Sequence, residues 1–130
     1  MSDYTDNKSF SKRHIWACPE PKHNIATVGI TDFLAEELGT IDSIDLPIIG
    51  DELDLDTFCI HLHVGSQIRH LRSPLTGRVI DINKEIQDTP SLIHLAPLTH
   101  WLIKMEYDDQ EEFDLLMDGS QYSRYLDSLA

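Results

Sequence analysis

Cys59, His61, His63 and His70 are the side chains of this 130-residue chain whose spacing most invites chemistry. In an extended strand, residues i and i+2 project from one face. Cys59, His61 and His63 would therefore point together, and with His70 from the paired strand this group could supply a three-ligand site of the kind that suits zinc or copper. Ser66 follows closely, and a serine hydroxyl becomes a nucleophile only beside an activating base such as His63. Arg69, Arg72 and Arg78 complete the set. From His61 to Val79 the chain holds three arginines and three of its seven histidines, and no Asp or Glu. A basic projection of this kind can steer toward an anionic surface.

Each feature has a plainer reading. The polar outer face of a sheet yields the same letters as a metal site. No paired Cys-x-x-Cys is present, and no carboxylate stands near in sequence to orient the imidazoles. Adjacent strand-end residues seldom point at one another, which argues against a Ser66–His63 catalytic pair. The arginines can equally fold against the chain's own acidic surface, as charged patches are usually solvated surface. We expect no metal site and no catalytic residue. The candidate binding patch is His63, Ser66, Arg69, His70 and Arg72. Trp16, Trp101, Phe33 and Phe58 read as core.

Short strands must position these residues. Ile25–Ile30 is β-branched, and Thr31 can cap a helix that Asp32 favours and Gly39 stops. Further strands are expected at Thr40–Leu46, Thr57–Val64, Ile68–Leu75, Gly77–Asn83 and Trp101–Tyr107. Gly65-Ser66 has glycine first, the signature of a two-residue type II′ hairpin loop with Ser66 at the tip. Counting outward sets Leu62 against Arg69, His61 against His70, Ile60 against Leu71 and Cys59 against Arg72. Residues 89–97 read as a helical turn with Thr89 as cap and Pro90 first. A helix should follow Asp109, with Glu112 three positions on, and stop near Gly119. A closing helix should follow, capped by Ser120.

The polar start is expected to be loose through residue 13, leaving 14–130 as one domain. Hydrophobic residues make up 41% of the chain, which suits a globular fold. Ten Lys and Arg against 23 Asp and Glu give a net charge of −13, which disfavours nucleic acid and anionic membrane as partners. Two cysteines, no secretory signal and no apolar run of membrane length point to a cytoplasmic protein.

Three stretches carry a resemblance: "ATVGITDFLAEELGTIDSIDLPIIGD", "SPLTGRVIDINKEIQDTPSLI" and "WLIKMEYDDQEEFDLLMDGSQYSRYL". Together with "HIW" near the start, they resemble the H proteins of the glycine cleavage system over about residues 14–126. The resemblance implies a mostly β, lipoyl-domain-like fold: two small sheets packed as a flattened barrel, with helical additions and a C-terminal helical segment. It also implies a carrier rather than an enzyme. In that family a lipoyl group on a hairpin lysine shuttles an aminomethyl group between the glycine cleavage enzymes. Aligned without gaps from "SPLTG", the lysine position is Ser66, and the glutamate three before it is His63. The lysines are Lys8, Lys12, Lys22, Lys84 and Lys104, with none from 23 to 83. The lipoyl group is therefore expected to be absent. The chain reads as a monomeric, non-catalytic interaction or regulatory module, with glycine cleavage or lipoate-attachment enzymes as partners. The alternatives are a carrier modified elsewhere, with Lys84 the nearest lysine after the tip, or a small metal-binding protein reusing the fold.

Overall fold

The computed structural model describes residues 7–21 and 24–129. Two antiparallel sheets, not closed into one another, form the body. The larger has six strands in the order β1-β2-β3-β9-β8-β5: Ser9–Phe10, Ile15–Pro19, Ile25–Ile30, Ile103–Tyr107, Gly77–Ile82 and Glu52–Leu53. The smaller runs β4-β6-β7: Ser43–Asp45, Phe58–Val64 and Gln67–Arg72. Among the described residues, five helices are added: α1 Asp32–Leu38, α2 Lys84–Asp88, α3 Leu92–Leu95, α4 Gln110–Asp114 and α5 Gly119–Ser128. This is the mostly β architecture with helical additions that the resemblance implied.

Alternation makes the sandwich. In β9, Ile103, Met105 and Tyr107 are buried while Lys104 and Glu106 are only half-buried. In β6, Ile60 and Leu62 point inward. These join Val28, Ile30, Leu71, Leu75, Val79 and Leu102 in the main core. Helix α1 forms as expected: Thr31 Oγ1 accepts from Leu34 N at 3.3 Å, and Gly39 ends the helix at φ 72°. Its Leu34, Ala35 and Leu38 lie in the same core. All buried side-chain polar atoms among the described residues have partners.

A second, aromatic cluster ties the two ends of the chain together. Phe10 stacks on Tyr122 of α5, with centroids 4.6 Å apart and planes 5° apart. Trp16 completes the buried trio, and its indole N–H donates to Pro97 O at 3.1 Å. The expectation of a loose start through residue 13 therefore fails for β1. Phe10 exchanges backbone hydrogen bonds with Met117 and is buried, because one aromatic side chain can anchor an otherwise polar segment.

The helix starts also needed correction. Asp118, not Ser120, caps α5: its carboxylate accepts from Gln121 N, and Gln121 answers with its side chain to Asp118 N, both at 2.8 Å. Reciprocal satisfaction of two orphan donors outweighs a lone serine. Asp109 caps α4 as expected, but Glu112 closes no box there. Its carboxylate takes Thr76 N and Thr76 Oγ1 at 2.9 and 3.0 Å, bracing the turn before β8. Thr89 ends α2, a helix absent from the sequence reading, and Ser91 precedes α3.

Candidate functional site: the β6–β7 hairpin

The hairpin tip forms as its letters require. Val64 pairs with Gln67, leaving Gly65-Ser66 as the two-residue loop. Gly65 takes φ 60° with open space where a Cβ would stand. The need for glycine is thus conformational and not steric. Gly65 N donates to Asp42 Oδ2 at 2.8 Å, which fixes the loop to the segment before β4. Ser66 is exposed. Three of the four expected cross-strand pairs are present: Leu62 with Arg69, His61 with His70, and Ile60 with Leu71.

The fourth is not. The register shifts between Phe58 and Ile60, and Phe58 faces Arg72. A bulge sets two residues against one and reverses the inward–outward phase beyond it. Cys59 accordingly packs against the main core, where burial pushes its thiol up to about 12. Phe58, read as core, is instead 57% exposed. Its ring lies beneath the Arg72 guanidinium at 4.9 Å and against His70 at 5.0 Å. Of the other aromatics read as core, Trp16 is buried, while Phe33 and Trp101 are half-buried.

The bulge takes Cys59 away from the histidines. His61 and His70 share a hydrogen bond between their Nδ1 atoms at 2.6 Å. His63 instead donates through Nε2 to Asp45 Oδ2 at 2.6 Å. A carboxylate does orient one imidazole after all: it comes from β4, 18 residues away in sequence. Among the described residues, no group of three or more His, Cys, Asp or Glu is placed to hold a metal ion. His63 uses its Nε2 on Asp45 and not on Ser66.

The acid-free segment meets acids from elsewhere in the chain. Arg69 pairs with Glu37 of α1 at 3.3 Å. Arg72 reaches Asp56 at 3.6 Å and donates to its carbonyl at 3.1 Å. Arg78 pairs with Glu106 on β9. All three pairs are partly solvent-exposed, and such pairs contribute about 0–1 kcal/mol each. They hold the side chains loosely and leave the guanidinium groups within reach of water.

The sequence reading missed the neighbour of this hairpin. β7 is an edge strand, and its outer edge borders a cleft of about 290 Å³ whose far wall carries Lys12, Arg13 and His14. No local pattern marks these residues, since they meet β7 only through the tertiary fold. His14 takes φ 67°, and its Nδ1 is 2.8 Å from Tyr122 Oη. Burial holds its pKa below 6.5, an effect that the nearby Glu37 carboxylate partly opposes. The unfolded chain binds the proton near the ordinary value, about 6.5, whereas the folded chain resists it. This contribution to stability is complete above that pH and is lost as pH falls through the lower folded value. His14→Gln should therefore lose less stability than wild type when the urea midpoint is compared at about pH 7 and about pH 5. Parallel losses in the two proteins would contradict a half-buried, neutral His14.

The lysines do not lie on the hairpin. Lys104 pairs with Glu20 at 3.1 Å and lies over Trp101. Lys8 lies over Trp16 and Lys12 over Tyr125. Lys84 is the exposed first residue of α2, and Lys22 lies outside the described residues.

Comparison with known proteins bears on this geometry. Residues 8–129 match the family described as "Glycine cleavage H-protein". The chain is 34% identical over 119 residues to a glycine cleavage system H protein of Staphylococcus epidermidis, covering 90% of this chain and 92% of that one. It is 33% identical over 121 residues to one from Brevibacillus brevis, covering 92% and 94%. In fold it is similar to the crystal structure of a glycine cleavage system H protein from Mycobacterium marinum. That match has a TM-score of 0.78 and 22% identity, and covers 92% of this chain and 95% of that one.

Proposed function

This chain belongs to the glycine cleavage H-protein family, and from that premise we propose that it is a member without a lipoyl group, working as a protein-interaction module. The observation that carries the proposal is the hairpin tip. The resemblance puts the attachment lysine at Ser66, and the tip there is a sharp, exposed two-residue loop. The position suits an arm, but the side chain does not. A lipoyl amide needs a primary amine, and a serine hydroxyl offers no amide linkage. His63, at the family's glutamate position, is held by Asp45.

What remains is a docking surface. H proteins present their hairpin to other enzymes, and this hairpin keeps an exposed tip. Beside it stand Ile68, half exposed, and the flank of His63, Arg69, His70 and Arg72. The partners this reading names are the family's glycine cleavage enzymes or the enzymes of lipoate attachment, met by a chain that cannot be modified at the usual place. A carrier modified at Lys84 has less support, since that residue opens a short helix and occupies no loop tip.

Binding to the purified glycine cleavage and lipoate-attachment enzymes of the same organism, followed by surface plasmon resonance, tests the docking. Arg69→Ala/Arg72→Ala should slow association about three- to tenfold at low salt with little effect on dissociation, because half-exposed charges act mainly on encounter. The difference should shrink at high salt. Equal rates for wild type and variant at every salt concentration would place the contact elsewhere on the domain.

A further inference from the structure

The cleft beside β7 concentrates positive charge on an acidic protein. Four of the chain's ten Lys and Arg line it, namely Lys12, Arg13, Arg69 and Arg72, against one lining acid, Glu37, and a second carboxylate, Asp56, beside Arg13 and Arg72. The cations come from two walls that are far apart in sequence. Lys12 and Arg13 lie in the turn between β1 and β2, while Arg69 and Arg72 lie on the free edge strand of the small sheet. Leu34 and Leu71, both buried in the main core, close the floor between them.

We propose that this cleft binds a small phosphorylated metabolite, its phosphoryl group held between Lys12 and Arg13 on one wall and Arg69 and Arg72 on the other. The reading goes beyond the docking role and does not depend on it. Three arguments lead to it.

The first is availability. Asp56 lies 3.7 Å from Arg13 and 3.6 Å from Arg72, beyond ordinary hydrogen-bond length. A guanidinium has five N–H donors, and of the two only Arg72 donates to Asp56, through the backbone carbonyl. Both arginines keep donors for a ligand.

The second is ligand shape. One arginine fork satisfies the two coplanar oxygens of a carboxylate. A phosphoryl group spreads three oxygens in different directions, which matches donors converging from two walls, and its charge of about −1.5 to −2 matches the surplus of cations better. A volume of about 290 Å³, near the lower end of small-molecule sites, suits a compact ligand.

The third is backbone conformation. His14, which lines the cleft, and Asp56, beside Arg13 and Arg72, adopt left-handed φ of 67° and 65°. Such conformations cost about 1–3 kcal/mol and persist where the surroundings impose them, often at ligand sites.

The test is a titration of the ¹⁵N-labelled full chain with glycerol phosphate, in parallel with glycerate as a carboxylate of similar skeleton. Glycerol phosphate should give saturable shifts at the amides of residues 12–14 and 69–72, with an affinity at least about tenfold above that of glycerate. Arg13→Ala and Lys12→Ala, both on exposed residues outside the hairpin, should each weaken binding by roughly tenfold. Lys84→Ala should leave it unchanged. Vesicles of phosphatidylserine and phosphatidylcholine should not retain the protein, since its net charge opposes an anionic surface. Shifts that do not saturate, equal affinity for glycerate, full affinity in the Arg13 and Lys12 variants, or retention on the vesicles would each overturn the proposal.

Discussion

Gly77→Ala should destabilise the protein by about 3–5 kcal/mol, at or above the usual range for overpacking and a large share of the roughly 5–15 kcal/mol that holds a domain together. Gly77 opens β8 and pairs with Tyr107 of β9. A Cβ placed there would stand 2.1 Å from Glu106 O and 2.8 Å from Tyr107 Cα. Both atoms belong to the backbone, so neither can swing aside as a side-chain end can. The first residues of β8 would have to leave β9. With them would go the Arg78–Glu106 contact and the seating of Thr76 against Glu112. Gly39 provides the comparison. Unlike Gly77 it has a positive φ, 72°, and nothing lies within 4 Å of its would-be Cβ. Gly39→Ala should cost only about 1–2 kcal/mol for the left-handed backbone. Urea midpoints of the two variants separate the cases. A Gly77→Ala protein as stable as Gly39→Ala would contradict the packing of β8 on β9.

Local signals were legible where one short segment decides its own conformation. The tip at Gly65-Ser66 was readable because two residues with glycine first fix both loop and register. Helix α1 was readable because its cap, first-turn acid and stop all agree. The bulge at Cys59 was not. The letters of residues 57–64 alternate without a break, so nothing in them reports an extra residue on one strand, and Phe58 and Cys59 were given each other's faces. β1 escaped notice because its anchor, Phe10, finds Tyr122 and Met117 more than a hundred residues away. Serine at 120 looked like a cap, yet Asp118 had the glutamine at the right spacing.

The charge pattern was legible as a pattern, and its cause was not. A segment without acids suggested either a surface kept for a partner or arginines folded against the chain's own acids. The fold shows that its arginines meet Glu37, Asp56 and Glu106, carboxylates supplied by α1, by the loop before β6 and by β9. A hairpin that lacks acids among strands that carry them is partly neutralised by its own body. The cleft was illegible for a similar reason. Lys12 and Arg13 are separated in sequence from Arg69 and Arg72 by most of the small sheet, and only the packing of the β1–β2 turn against the β7 edge brings them together.

The proposal that family membership and carrier chemistry part at Ser66 is the central claim. The protein should be coexpressed with lipoate ligase and lipoate, beside a lysine-bearing H protein as the positive control, and its intact mass measured. The predicted result is an unmodified mass for the wild type. Ser66→Lys should gain little adduct, because the hairpin around it still has His63, bound to Asp45, where the family has glutamate. A lipoyl adduct on the wild-type chain, at any of its five lysines, would contradict the reading of this protein as an H-protein fold without a carrier's arm.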